Sequence, residues 1–166
     1  MKKLFLLSFT LLAAVIFLSC EKEKDTLKPV IKLNSPAQNA ELKVIGNDHG
    51  IHFDAEFSDN EALASYAVDI HANFDGHTHS AARAEHAEDG VPFSYKKVFT
   101  SIDGKMNDHV HHHEIVIPEK DKDGKPFLEG KYHIIVQCLD KAGNQSQVAH
   151  DIVLLHSDGG HDGHEH

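Results

Sequence analysis

The chain has 166 residues, and its 26 acidic against 16 basic side chains give a formal net charge of −10. This charge disfavours nucleic acid and anionic lipid surfaces as partners and favours cations. The length suits one domain with a substantial core, and the 16 histidines are the compositional outlier.

The N-terminal segment has the build of a secretory signal. A charged start and an apolar run fill residues 1–19, which is too short and too early for a membrane span. Cys20 after Ser19 resembles the lipobox of bacterial lipoproteins, whose cysteine is acylated and becomes the mature N-terminus, although Phe17 stands where that motif usually has leucine. We expect a lipidated Cys20 with a polar tether over residues 20–28; plain secretion with nearby cleavage is the alternative.

A single folded domain is predicted over residues 29–156. The stretch "PVIKLNSP" indicates an edge strand bounded by prolines, and "GIHFDAEFSD" and "SYAVDIH" alternate apolar and polar residues as half-buried strands do. "PFSYKKVFTSI" and "EIVIP" indicate further strands. The predicted inner lines of the two alternating strands are Ile51, Phe53, Ala55 and Phe57, then Tyr66, Val68 and Ile70.

The last predicted element is a hairpin, "GKYHIIVQCLDKAGNQSQVAHDIVLL", whose inner line begins at Tyr132 and ends at Cys138. It resembles the end of bacterial immunoglobulin-like and fibronectin-type domains, in which Tyr132 would be a tyrosine corner. We therefore predict an all-β, immunoglobulin-like or fibronectin-type sandwich of about seven or eight antiparallel strands with one long His-rich loop. Cys138 is expected to be an inert buried thiol.

The stretch "DIHANFDGHTH" is the first candidate metal site. Residues 75–90 lack alternation and are predicted to form a long functional loop. His77 and His79 are two apart and project to the same side of an extended segment, while Gly76 allows the chain to double back toward His71. We expect these three histidines to share an ion; solvated loop histidines are the alternative.

The second candidate stretch is "HVHHHEIVIP". His111 and His113 alternate in step with Ile115 and Ile117, so uninterrupted strand geometry predicts that both histidines continue the inward line toward one end of the sandwich. A metal shared with the long loop, or water, would satisfy them there. Imidazole donors favour zinc or copper(II).

The tail over residues 157–166 is glycine, histidine and acid with little to bury, and it is predicted to be disordered. Four histidines in or next to this tail could chelate a metal weakly: His156, His161, His164 and His166. A plain solvated chain end is the alternative.

Other motifs indicate little chemistry. "DKDGK" has the start of a calcium loop, but Lys125 occupies a ligand position, so we predict a plain turn there and at "SDNE", residues 58–61. Motifs for nucleophilic serine, phosphate or dinucleotide chemistry are missing, and we expect no enzyme. Histidine pairs on such a sandwich resemble superoxide dismutase in outline only, since Arg83 is the only arginine and lies inside the predicted loop.

The signal, the "PVIKLNSP" opening, the His71 to His79 stretch and the closing hairpin resemble a family of lipoproteins of unknown function from Bacteroides-type bacteria. The resemblance implies an outer membrane lipoprotein, on the periplasmic face or the cell surface, anchored in the membrane by its lipid. From the residues we expect it to bind zinc or copper for capture, buffering or delivery to a metal-uptake receptor or other envelope protein. A non-metal adhesin, carbohydrate-binding or accessory module is the alternative.

Overall fold

The computed structural model describes residues 23–74 and 90–157, and every regular element within them is a β-strand. This confirms the predicted all-β class. No helix in these two ranges is long and apolar enough to cross a membrane. The eight strands are β1 (Val30–Ser35), β2 (Ala40–Ile45), β3 (Asn47–Ser58), β4 (Leu63–Ala72), β5 (Tyr95–Phe99), β6 (Asn107–Ile117), β7 (Gly130–Asp140) and β8 (Gln145–His156).

The strands are hydrogen-bonded in the order β1-β3-β6-β2-β8-β7-β4-β5. β2 joins the two halves of this order: it pairs with β6 only through Ile45 and Ile117, and with β8 over most of its length. Both of these pairings are parallel, whereas the other pairings between the eight strands are antiparallel. The predicted antiparallel arrangement therefore holds for the other strands and is wrong for β2.

The two halves of the sheet pack face to face as a sandwich. β3 and β4 are not hydrogen-bonded to each other, yet the ring centroids of Phe57 and Tyr66 lie 4.8 Å apart and those of Phe53 and Tyr66 lie 5.9 Å apart. The predicted inner lines of β3 and β4 are confirmed, since their side chains are at most 1% exposed. Burial of these apolar faces is the main stabilising contribution to the fold.

The closing hairpin also follows the prediction. The inner line of β7 is buried, and the Tyr132 hydroxyl donates to the backbone carbonyl of Leu128 at 2.7 Å, the hydrogen bond of a tyrosine corner. The same hydroxyl accepts the N–H of Phe93 at 3.1 Å. Cys138 is buried as predicted, and burial raises the pKa of its thiol to about 12, which favours the unreactive protonated form.

β6 contains a β-bulge that reverses its alternation. Between His112 and Ile115 it has one residue more than the facing stretch of β3. Ile115 faces the core as predicted, but upstream of the bulge the inward positions are Val110 and His112. The prediction that His111 and His113 point inward is therefore wrong: both are exposed on the outer face.

Candidate metal centre

Three exposed histidines meet on the outer face of the β3–β6 pair. His52 comes from β3, and His111 and His113 come from β6. The ring centroid of His52 lies 4.7 Å from that of His111 and 5.0 Å from that of His113, and the latter two are 5.5 Å apart. One ring nitrogen from each histidine lies within 4.8 Å of the others. We call this group the histidine triad.

Strand geometry explains the meeting. His52 lies between the buried Ile51 and Phe53, so it must point outward. His111 and His113 are two residues apart on β6 and therefore share one side, and antiparallel pairing brings that side next to His52. The arrangement is produced by backbone pairing and does not require an ion to assemble it.

The spacing of the nitrogens is close to what a metal needs. Zinc bound to imidazole at about 2.0–2.1 Å with tetrahedral angles requires nitrogens about 3.4 Å apart. The three donors lie within 4.8 Å of one another, so side-chain rotations that move each nitrogen by roughly 1 Å suffice. Three imidazoles would leave a fourth position open.

A carboxylate lies beside the triad. Asp54 projects from the same side of β3 as His52, and its oxygens accept hydrogen bonds from Asn34 Nδ2 at 2.8 Å and from His109 Nε2 at 3.0 Å. The Asn34 hydrogen bond lowers the pKa of Asp54 by more than burial raises it, and His109 and His111 lower it further. The carboxylate therefore stays ionised at neutral pH, and its charge favours a cation nearby.

His112 belongs to the core and is not a candidate ligand. Its ring stacks between Phe53 and Phe99, with centroid distances of 4.9 and 5.1 Å. Nδ1 accepts the backbone N–H of Glu114 at 3.3 Å, which leaves the proton of the neutral ring on Nε2, 3.2 Å from the Tyr66 hydroxyl. Burial lowers the pKa of His112, which favours this neutral form.

The structure places His71 in the other half of the sheet from the histidine triad. His71 is on β4, whose hydrogen-bonded neighbours are β5 and β7 and not β6. Its Nδ1 lies 2.8 Å from Asp69 Oδ1, and its ring centroid is 5.7 Å from that of His133, whose Nδ1 is 2.9 Å from Asp151 Oδ1. Burial raises the pKa of Asp69, but hydrogen bonds from His71 and Lys96 lower it by more. The described residues thus do not unite His71 with His111 and His113.

Several predicted site residues lie outside the described residues: Cys20, His77, His79, His161, His164 and His166. His156 is described. It is the last residue of β8, and its backbone N–H donates to Glu129 Oε1 at 2.6 Å.

His52 was not predicted as a ligand from the sequence. A usable signal was present, since His52 lies on the polar side of a correctly predicted strand. Choosing it also required knowing that β6 is the neighbour of β3, which a single sequence does not give.

Fold and site together define a β-sandwich domain that carries an exposed cluster of histidines. The chain belongs to a family described as a domain of unknown function (DUF4625), whose profile matches residues 18–155. Membership of a family of unknown function agrees with the resemblance seen in the sequence. No curated protein matches the chain.

Proposed function

We propose that this domain binds zinc or copper(II) through His52, His111 and His113. The observation that carries the proposal is that one nitrogen from each of these histidines lies within 4.8 Å of the other two, on two hydrogen-bonded strands. The pairing of the two strands fixes the backbone positions of the three histidines, so only side-chain freedom is lost when an ion binds.

Donor chemistry and exposure support a transport or buffering role. A site made of imidazoles suits zinc and copper(II), whereas magnesium and calcium prefer oxygen ligands. The three side chains are exposed, and the open fourth position is accessible to a ligand from another protein. Such a site exchanges its ion more easily than a closed structural site, which suits capture, buffering and delivery.

The cellular setting is part of the same proposal. The signal over residues 1–19 and the lipobox-like Cys20 support a lipid anchor in the outer membrane, with the domain on the periplasmic face or at the cell surface. The negative net charge would concentrate cations near the domain and disfavour nucleic acid. The partner would be a metal-uptake receptor or another envelope protein, and the role non-enzymatic.

Competition with a chelator of known affinity tests the site at pH 7.5. We expect His52→Ala, His111→Ala and His113→Ala each to weaken zinc binding at least about tenfold, since each removes one of three ligands. His49→Ala is the matched control, because His49 is also exposed and on β3 but outside the triad. A chain that ends at Ser157 separates the triad from chelation by the tail.

Acidification is the second arm of this test. Imidazole must lose its proton to bind a metal, and it is typically protonated below about pH 6.5. Zinc affinity should therefore fall steeply between pH 7.5 and pH 5. Equal zinc affinity at both pH values, or in all three variants, would contradict the proposal. The histidines would then be solvated surface residues, and the adhesin, carbohydrate-binding or accessory role would take its place.

A further inference from the structure

A second cluster of ligating atoms lies away from the triad, where the chain enters the domain. Asp25 precedes β1, Asp59 follows β3 and Asp140 ends β7, and one carboxylate oxygen from each lies within 4.8 Å of the others. Asp59 belongs to the stretch predicted as a plain turn. We call this group the aspartate triad.

Each carboxylate is already held by its own turn. Asp25 Oδ1 accepts the N–H of Leu27 at 3.0 Å, and Asp59 Oδ2 accepts two backbone N–H groups at 2.9 and 2.8 Å. Asp140 Oδ1 and Oδ2 accept from the backbone and the side chain of Asn144 at 2.8 and 2.7 Å. These bonds orient the carboxylates, but they do not use all of the oxygens.

The unused oxygens are the independent sign of a ligand. Asp25 Oδ2 and Asp59 Oδ1 are fully buried and have no hydrogen-bond partner, and Asp140 is only 2% exposed. Burying an anionic oxygen without a partner is strongly unfavourable, and a second carboxylate close by makes it worse. A cation held by the three carboxylates would neutralise this buried negative charge.

We propose that the aspartate triad binds Ca²⁺. The donors are all oxygens, which suits a hard cation and disfavours zinc or copper. Ca²⁺ takes six to eight oxygens at about 2.3–2.6 Å, so ligands on opposite sides of it lie about 5 Å apart. The three donors lie within 4.8 Å of one another, which is compatible with this spacing. Mg²⁺ needs a smaller octahedron, with opposite ligands only about 4.2 Å apart.

The site would clamp the N-terminal segment onto the domain. Asp25 already contacts the β7–β8 turn, because Asn144 Nδ2 donates to its backbone carbonyl at 3.2 Å. A calcium ion shared by Asp25, Asp59 and Asp140 would join this segment to two turns of the sandwich. The orientation of the domain relative to the preceding chain would then depend on calcium.

Equilibrium dialysis with ⁴⁵Ca²⁺ on the full chain in detergent tests the proposal. We expect about one ion per chain, with a Kd on the order of 0.1 to 1 mM as in extracellular calcium modules. The thermal unfolding midpoint should be higher in calcium than in EGTA. Trypsin cleavage after Lys24, which directly precedes Asp25, should be slower in calcium.

Asp25→Asn and Asp59→Asn should each weaken calcium binding at least about tenfold, since each removes a charged ligand. Asp25 precedes the first strand, whereas Asp59 lies in the turn between β3 and β4, so the Asp25 variant tests the site even if Asp59→Asn impairs folding. Asp121→Asn is the matched control, because Asp121 also accepts two backbone N–H groups of a turn, at 2.9 and 2.8 Å, but lies outside the aspartate triad. His52→Ala should leave calcium binding unchanged, which separates this site from the histidine triad.

Two results would overturn the proposal. One is no bound calcium up to about 10 mM, tenfold above the weakest affinity expected of such modules. The other is calcium binding that survives both Asp25→Asn and Asp59→Asn unchanged.

Discussion

His112 and His113 are neighbours in the chain with opposite environments. The first stacks between two phenylalanines inside the sandwich, and the second is exposed in the histidine triad. The bulge decides which histidines of the run "HVHHHE" face the core, and the residue types do not reveal the bulge. The histidine-rich stretch was found from the sequence, but the role of each member was not.

Because burial lowers the pKa of His112, the domain should lose stability in mild acid. Below about pH 6.5 the unfolded chain binds a proton at this residue more readily than the folded chain does, so stability falls as pH drops from there toward the lowered folded pKa. We expect the urea midpoint of the wild type to fall between pH 7.5 and pH 5, and to fall less in His112→Gln. An equal fall of the urea midpoint in the wild type and in His112→Gln would show that His112 does not contribute to the pH dependence. His49→Gln, at an exposed histidine, is the control.

The Tyr132 hydroxyl makes two buried hydrogen bonds, whereas the hydroxyl of Tyr95 is buried without a partner. Tyr132→Phe should therefore lower the free energy of unfolding by about 1–3 kcal/mol, since it leaves the Leu128 carbonyl and the Phe93 N–H unpaired. Tyr95→Phe should be neutral or slightly stabilising. Urea denaturation of both variants checks this, and equal effects would contradict the role of the tyrosine corner.

At the scale of elements, the bulge in β6 depends on Gly50 in the facing strand. Gly50 has φ +67°, and a Cβ added there would lie 2.5 Å from the His113 carbonyl oxygen and 2.9 Å from that of Ile115. Only glycine allows the bulged backbone to approach this closely. The bulge in turn places His111 and His113 on the outer face.

Gly50→Ala should lower the free energy of unfolding by at least about 2 kcal/mol, from left-handed strain plus the contact with the β6 backbone. Gly104→Ala is the matched control, since Gly104 has φ +75° and open space around it; we expect a loss of about 1 kcal/mol there. Denaturation of both variants measures the difference. A loss no larger for Gly50→Ala than for Gly104→Ala would mean that the close approach does not matter.

The strands predicted well are those whose alternation is uninterrupted, namely β3, β4 and β7. β2 was not predicted, although its Leu42 and Val44 alternate with the exposed Glu41 and Lys43. β6 was recognised only over "EIVIP" because the bulge and the histidines upstream break the alternation. Local patterns therefore gave the long strands but not the parallel pairings of β2, which join residues far apart in the chain.

For the whole molecule, both candidate centres depend on contacts between distant parts of the sequence. The histidine triad joins His52 to residues near position 112, and the aspartate triad joins Asp25, Asp59 and Asp140. Two of the three triad histidines were singled out because they lie within one histidine-rich run. Predicting the third histidine would have required the strand order. Predicting the three aspartates would have required knowing which turns meet at one end of the sandwich.

The two centres would serve different purposes in one molecule. The histidine triad is exposed, which suits an ion that is bound and passed on, while the aspartate triad is largely buried and ties the entering chain to the domain. Nitrogen and oxygen donors select different cations, so neither centre should compete for the other's ion. Zinc should leave the calcium-dependent change in unfolding midpoint unaltered.

Native mass spectrometry of the chain that ends at Ser157, after zinc loading and a brief wash with a mild chelator, tests directly whether the histidine triad holds zinc. We expect about one zinc retained per chain in the wild type and in the His77→Ala, His79→Ala double variant, and none in the His52→Gln, His111→Gln, His113→Gln triple variant. Zinc retained by that triple variant, or lost from the wild type, would contradict a specific site at the histidine triad.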